Sequence, residues 1–148
     1  MSLDVYLNVP GVCVPAGSGL FVRENGATRE ITRGEWDKRH PDCEPAAFVQ
    51  QSGSQVFESN ITHNLGPMAR AAGVYDCCWR PDGHEMTKAL HLIRPLRIGI
   101  AAMETDPGKF RAMNPDNGWG NYGGLLRFCR DYLEACLAYP DADVTVSR

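Results

Sequence analysis

A chain of 148 residues, 43% hydrophobic and 22% charged, has the size of one domain and can bury about 70% of its unfolded surface, which excludes a disordered chain. The net charge is −3, with 5 basic and 8 acidic residues over 1–60 and 10 of each over 61–148, so no sequence-independent grip on nucleic-acid phosphates is expected. No apolar run reaches the roughly 20 residues of a membrane span, and Met1–Tyr6 lacks a signal peptide's basic and apolar regions; a single cytoplasmic domain without membrane partners is expected.

In chain order, the alternation Leu3-Asp4-Val5-Tyr6-Leu7-Asn8 predicts a half-buried strand stopped by Pro10-Gly11. Leu20–Arg23 and Thr28–Ile31 flank Asn25-Gly26, a turn pair tolerant of positive φ, and predict a hairpin. Residues 34–53 mix Gly, Pro, Gln and charges and are expected to form a mobile loop. Gln55–Glu58 reads as a short strand. Leu65, Met68, Ala69 and Ala72 then recur at helical spacing, with Asn64 as N-cap and Gly73 closing the helix. A helical stripe over 86–103 contains Pro95, which should kink or divide it. Asp106-Pro107 opens a short helical turn through Phe110. The last helix spans 121–138 with Leu125, Cys129, Tyr132, Leu133 and Cys136 inward, and Arg127–Asp131 and Arg130–Glu134 pairs outward. Ala142–Ser147 alternates like the first strand. The expected fold is α+β: a small, mainly antiparallel sheet including both terminal strands, packed by three or four helices.

The six cysteines, at 13, 43, 77, 78, 129 and 136, contain no Cys-x-x-Cys pair. Without an export signal they are expected to be reduced, and Cys129 and Cys136, seven apart, suit a buried helix face. Cys77 and Cys78 with His84 and His91 match no recurring zinc spacing. Neither metal nor cofactor is expected.

Three segments carry candidate chemistry. Asn60, Thr62, His63 and Asn64 precede a helix, where unpaired N–H groups and the dipole suit anions; the same residues also make ordinary turns and caps. Asn117, Trp119 and Tyr122 lie in Asn117-Gly-Trp-Gly-Asn-Tyr122, whose glycines free an indole to stack on a planar ring; a core tryptophan is the competing account. Trp79-Arg80 offers a guanidinium for an anion or for a neighbouring acid. The loops at 60–64 and 117–122 are expected to face one cavity with Trp79-Arg80, the starts of two helices converging on its rim.

These motifs carry a resemblance. Asn60-Ile-Thr-His-Asn-Leu65, Trp79-Arg80-Pro81, Asn114–Gly120 and the closing Pro140–Ser147 resemble a family of short, uncharacterised phage and bacterial proteins. The likeness covers Met1–Leu7 and most of 57–148. It implies a phage or prophage setting and brings no activity. Members often carry a Cys-x-x-Cys element before the Asn-Ile-Thr-His motif; here Cys13 and Cys43 are isolated.

The leading expectation is a non-catalytic binder of a small polar, nucleotide-like ligand, serving to sequester a host signalling molecule. One alternative is a hydrolase with His63 as general base or metal ligand. Another is an inhibitor that docks on a host protein through its acidic N-terminal portion.

Overall fold

The computed structural model describes residues 1–10, 18, 20–42 and 54–148. Alternation sets the first strand: in β1 (Ser2–Asn8) Leu3, Val5 and Leu7 are buried while Ser2, Asp4 and Tyr6 face the other way, half-buried. The hairpin forms as expected, from β2 (Leu20–Glu24) and β3 (Ala27–Ile31). Asn25 and Gly26 both take positive φ, +53° and +83°, the geometry a two-residue hairpin turn demands.

The expected loop over 34–53 is corrected at its start. Arg33–Arg39 is a helix, α1, capped reciprocally by Thr32 and Glu35 and braced by Arg33 on Asp37 at 3.0 Å. The Thr32-x-x-Glu35 capping box was present in the sequence and outweighs the mixed composition there. Residues 43–53 of that loop lie outside the described residues.

The fourth strand, β4 (Gln55–Thr62), is longer than expected and takes in Asn60 and Thr62. A 3-10 turn, His63–Leu65, joins it to α2 (Gly66–Ala72). Thr62, not Asn64, caps this turn, its hydroxyl accepting from the Asn64 N–H at 3.3 Å. Gly73 ends α2 in the left-handed region at φ +79°. Next come α3 (Tyr75–Trp79), a 3-10 turn at Pro81–His84, and α4 (Ala89–Thr105). Pro95 does not divide α4: Leu92 before it and Leu96, Ile100 and Met103 after it are all buried. That shared apolar stripe offsets the roughly 3 kcal/mol a helix-interior proline costs. After α5 (Pro107–Arg111), α6 (Tyr122–Ala138) leads to β5 (Asp143–Ser147). Arg127 meets Asp131 at 4.0 Å as expected. Arg130 instead reaches Glu104 of α4 at 2.5 Å, a tertiary partner winning over the neighbouring turn.

The sheet is antiparallel throughout, in the order β2-β3-β4-β1-β5, so both terminal strands pair side by side in an α+β fold. One face buries Leu3, Val5, Leu7 and Ile61 in a core where α6 packs on β4 and α4 packs on α6. The other carries Asp4, Tyr6, Arg23, Glu58 and Asn60, none of them buried. The edge of β5 is covered: the Val144 N–H donates to the Thr87 carbonyl at 3.0 Å and Lys88 pairs with Asp143 at 2.5 Å. No helix among the described residues is long and apolar enough to cross a membrane.

Cys77, Cys78, Cys129 and Cys136 are free and buried; Cys13 and Cys43 lie outside the described residues. The Tyr132 hydroxyl, buried beside these thiols, makes no hydrogen bond among the described residues. Burial pushes the Cys136 thiol from 9.0 up to about 12, with Cys77 adding to the rise. The folded state keeps this proton after the unfolded chain has lost it, so stability should fall as pH rises from about 9 toward 12. Urea midpoints at pH 8 and pH 10 measure this, and Cys136→Ala should reduce the difference, the buried Cys78 and Tyr132 keeping the rest. Unchanged pH dependence in that variant would remove Cys136 as its source.

Candidate functional site

The segment Asn117–Asn121 is pinned on both sides of its indole. Gly118 turns at φ +71°, and the Asn117 side chain accepts from the Trp119 N–H at 3.0 Å. Gly120, buried at φ +96°, lies so close to Thr62 and Leu65 that a Cβ would stand 2.8 Å from the Thr62 methyl and 2.9 Å from Leu65. The neighbouring amides serve the chain itself. Asn114 accepts from the Tyr122 N–H at 2.7 Å, and Asn121 caps α6 by accepting from Gly124 at 2.8 Å. Asn121 also donates to Asn25 of the hairpin turn at 3.1 Å. With the backbone fixed, Trp119 remains 58% exposed, the Arg23 guanidinium 5.7 Å from its ring centre.

Arg23 belongs to a lateral row on the sheet face opposite the core, which is left open among the described residues. Register sets Arg23 opposite Thr28, Thr28 opposite Asn60, and Asn60 opposite Asp4. The row is joined by hydrogen bonds: Thr28 donates to Asn60 Oδ1 at 3.3 Å, while Asn60 Nδ2 donates to Asp4 Oδ1 and to the Leu3 carbonyl. Above it lies a concavity of about 360 Å³, bounded also by Ser2, Phe21 and Glu58. Phe21 is 45% exposed. Tyr6, across from Glu58, has its hydroxyl pKa raised by burial and by the Asp4 and Glu58 carboxylates. This face therefore offers an exposed aromatic with a cation at one end and carboxylates at the other.

The sequence-predicted residues are distributed differently from the expected cavity. The 60–64 and 117–122 segments do meet, but they pack directly on each other through Gly120, Thr62 and Leu65 rather than lining a shared space. Asn60 reaches the concavity and Trp119 borders it through Arg23. Thr62 is buried and spent on its cap. Trp79 is 2% exposed, its indole N–H donating to His63 Nδ1 at 3.0 Å. Tyr122 is buried, its hydroxyl donating to the Met103 carbonyl at 2.9 Å. Asn64 and Asn117 are exposed, as is Arg80, which makes no ion pair among the described residues. The start of α6 is partly spent as an anion site: its Tyr122 N–H is accepted by Asn114 and its Gly124 N–H by Asn121.

The His63 Nδ1 lone pair that a base or metal ligand would use accepts the Trp79 indole proton instead. Among the described residues no three His, Cys, Asp or Glu side chains are grouped so as to hold a metal ion. Asp4, Phe21, Arg23, Thr28 and Glu58 went unnoticed in the sequence. Their only signal was the polar phase of the alternating strands, which marks an open sheet face without saying which residues share a row.

A second concavity, about 370 Å³, lies between β3, β4 and α6. Several of its charges are paired: Arg29 meets Glu24 at 3.6 Å and Glu35 at 3.5 Å, and Arg127 meets Asp131, while the buried Arg29 Nε makes no hydrogen bond among the described residues. Burial raises the Asp131 pKa against the lowering influence of Arg127. None of the sequence-predicted site residues lines this groove.

Compared with known protein families, curated proteins and solved structures, the chain finds no match.

Proposed function

We propose that this protein binds a small, planar, polar ligand of nucleotide-like character, without catalysis, on the polar face of its sheet. The observation that carries the reading is Trp119: a large indole, mostly exposed, held by a backbone fixed on both sides and faced by Arg23, beside a concavity that contains Asn60. Exposed aromatics on rigid backbone supply stacking surfaces at low entropic cost. Two carboxylates, Asp4 and Glu58, against one cation, Arg23, favour the base of such a ligand over a chain of phosphates. This balance also speaks against extended nucleic acid as the partner. In the phage setting that the family resemblance implies, the protein would act as an accessory factor in the host cytoplasm, holding a host signalling molecule out of circulation.

Trp119→Ala tests the site. Stability should change by no more than about 0.5 kcal/mol, as for an exposed position, while affinity for a planar ligand should fall by about 1–3 kcal/mol. A thermal melt beside a calorimetric titration with nucleoside monophosphates reads both. A large stability loss with unchanged binding would place the indole's role in the fold and end the reading.

A further inference from the structure

Resting on that binding reading, the donor and acceptor inventory of the concavity assigns a narrower ligand class: we infer that the Asp4 end recognises a planar edge presenting two adjacent N–H donors, as guanine does and adenine does not. The argument is one of spent hydrogens. Asn60 Nδ2 has two, and they go to the Leu3 carbonyl and Asp4 Oδ1. The Thr28 hydroxyl gives its one to Asn60 Oδ1. An ionised carboxylate has none to give. Asn60 is thus a positioning residue: it fixes the rotation of the Asp4 carboxylate and offers the ligand no donor.

What remains free is acceptor capacity. Asp4 Oδ2 makes no hydrogen bond among the described residues, and Oδ1 retains a lone pair beyond the one Asn60 uses. Glu58 takes Gln55 on Oε2 at 2.8 Å and keeps Oε1 unengaged among the same residues. The Ser2 hydroxyl can rotate to donate or accept, and the Arg23 guanidinium stands three strands away, at the Trp119 end. A fixed carboxylate accepts two parallel N–H bonds from one edge. Guanine supplies them from its ring N1 and its 2-amino group. Adenine opposes that carboxylate with an N1 lone pair, a repulsive contact that leaves a desolvated acceptor unsatisfied. Phe21, on the same strand and face as Arg23, stands with Trp119 at the far end of the row, so a ligand held by its edge at Asp4 meets those aromatics only through a part that extends across the concavity.

The test is calorimetric titration of the full chain with the monophosphates of guanosine, inosine and adenosine. Guanosine monophosphate should bind at least about fivefold tighter than adenosine monophosphate, the lower end of what a bidentate base contact discriminates. Inosine monophosphate, which keeps N1–H and lacks the 2-amino group, should fall between. Asp4→Asn retains an oxygen for Asn60 and turns the other position into a donor, so the preference should shift toward adenosine. Equal binding of the guanosine and adenosine compounds overturns the inference and leaves the binding reading standing; so does a guanosine preference that persists in Asp4→Asn. Absence of binding by all three overturns the binding reading and the inference together. Should Asp4→Asn fail to fold, the affinity ratio on the unaltered chain decides alone.

Discussion

Replacing Trp79 by alanine is expected to cost about 3–5 kcal/mol of folding stability, the largest loss for any single side chain here. Trp79 is the largest of the fully buried side chains. Its ring stacks on Tyr75, centroids 5.4 Å apart and planes 11° from parallel, and tilts against Phe128 at 6.4 Å. Alanine would leave a cavity between Tyr75 and Phe128, and would strand His63 Nδ1 without its donor. Trp79→Phe keeps most of the volume and loses only the N–H, so it should fall well short of that cost. Urea midpoints at constant m-value provide the measure. A Trp79→Ala protein within about 1 kcal/mol of the parent would contradict the burial on which this rests. The pairing with Trp119→Ala is informative: two tryptophans of one small domain, one whose loss should cost the fold several kcal/mol and one whose loss should spare it.

Gly124→Ala should destabilise by about 3 kcal/mol or more, at or beyond the upper end of overpacking costs, although alanine is the better helix former by about 1 kcal/mol. Gly124 lies in the first turn of α6, and a Cβ there would stand 2.1 Å from the Asn25 carbonyl oxygen and 3.1 Å from its carbon. Both are backbone atoms of the hairpin turn, so relief requires the turn or the helix to move. Such movement would also disturb the Asn121–Asn25 hydrogen bond and the Thr62 N–H to Gly26 carbonyl bond of 2.9 Å. Gly123→Ala is the control: an added Cβ there meets only the Asn121 side-chain oxygen, at 3.4 Å, and the residue is exposed. Thermal melts of the two variants should therefore diverge. Equal melting temperatures would show that the turn does not rest on α6.

The readable part of the candidate site was the part whose signal is local. A glycine-flanked tryptophan after Asn117-Gly118 announces a constrained, turning backbone, and Trp119 duly stands on one. Trp79 carried no such mark, because nothing next to an indole in sequence says whether Tyr75, Phe128 and His63 will close around it. Thr62 and Asn64 suited a cap equally well by residue type. The choice fell to Thr62 because β4 continues to it and delivers its hydroxyl to the following turn.

The sequence by itself determined the α+β class, the hairpin at Asn25-Gly26, the inward stripe of α6 and the inward phase of both terminal strands. Each depends on side-chain periodicity or turn chemistry within a few residues of chain. Only the tertiary structure decided strand order and register, and with them the row Arg23, Thr28, Asn60, Asp4 that makes the polar face a candidate site. Alternation tells which side chains share a face, but a strand can slide by two residues and keep the same face buried. What fixes the pairing of Asp4 with Asn60 is the packing of Leu3 and Ile61 into one core from opposite ends of the first 62 residues, a contact no local pattern encodes.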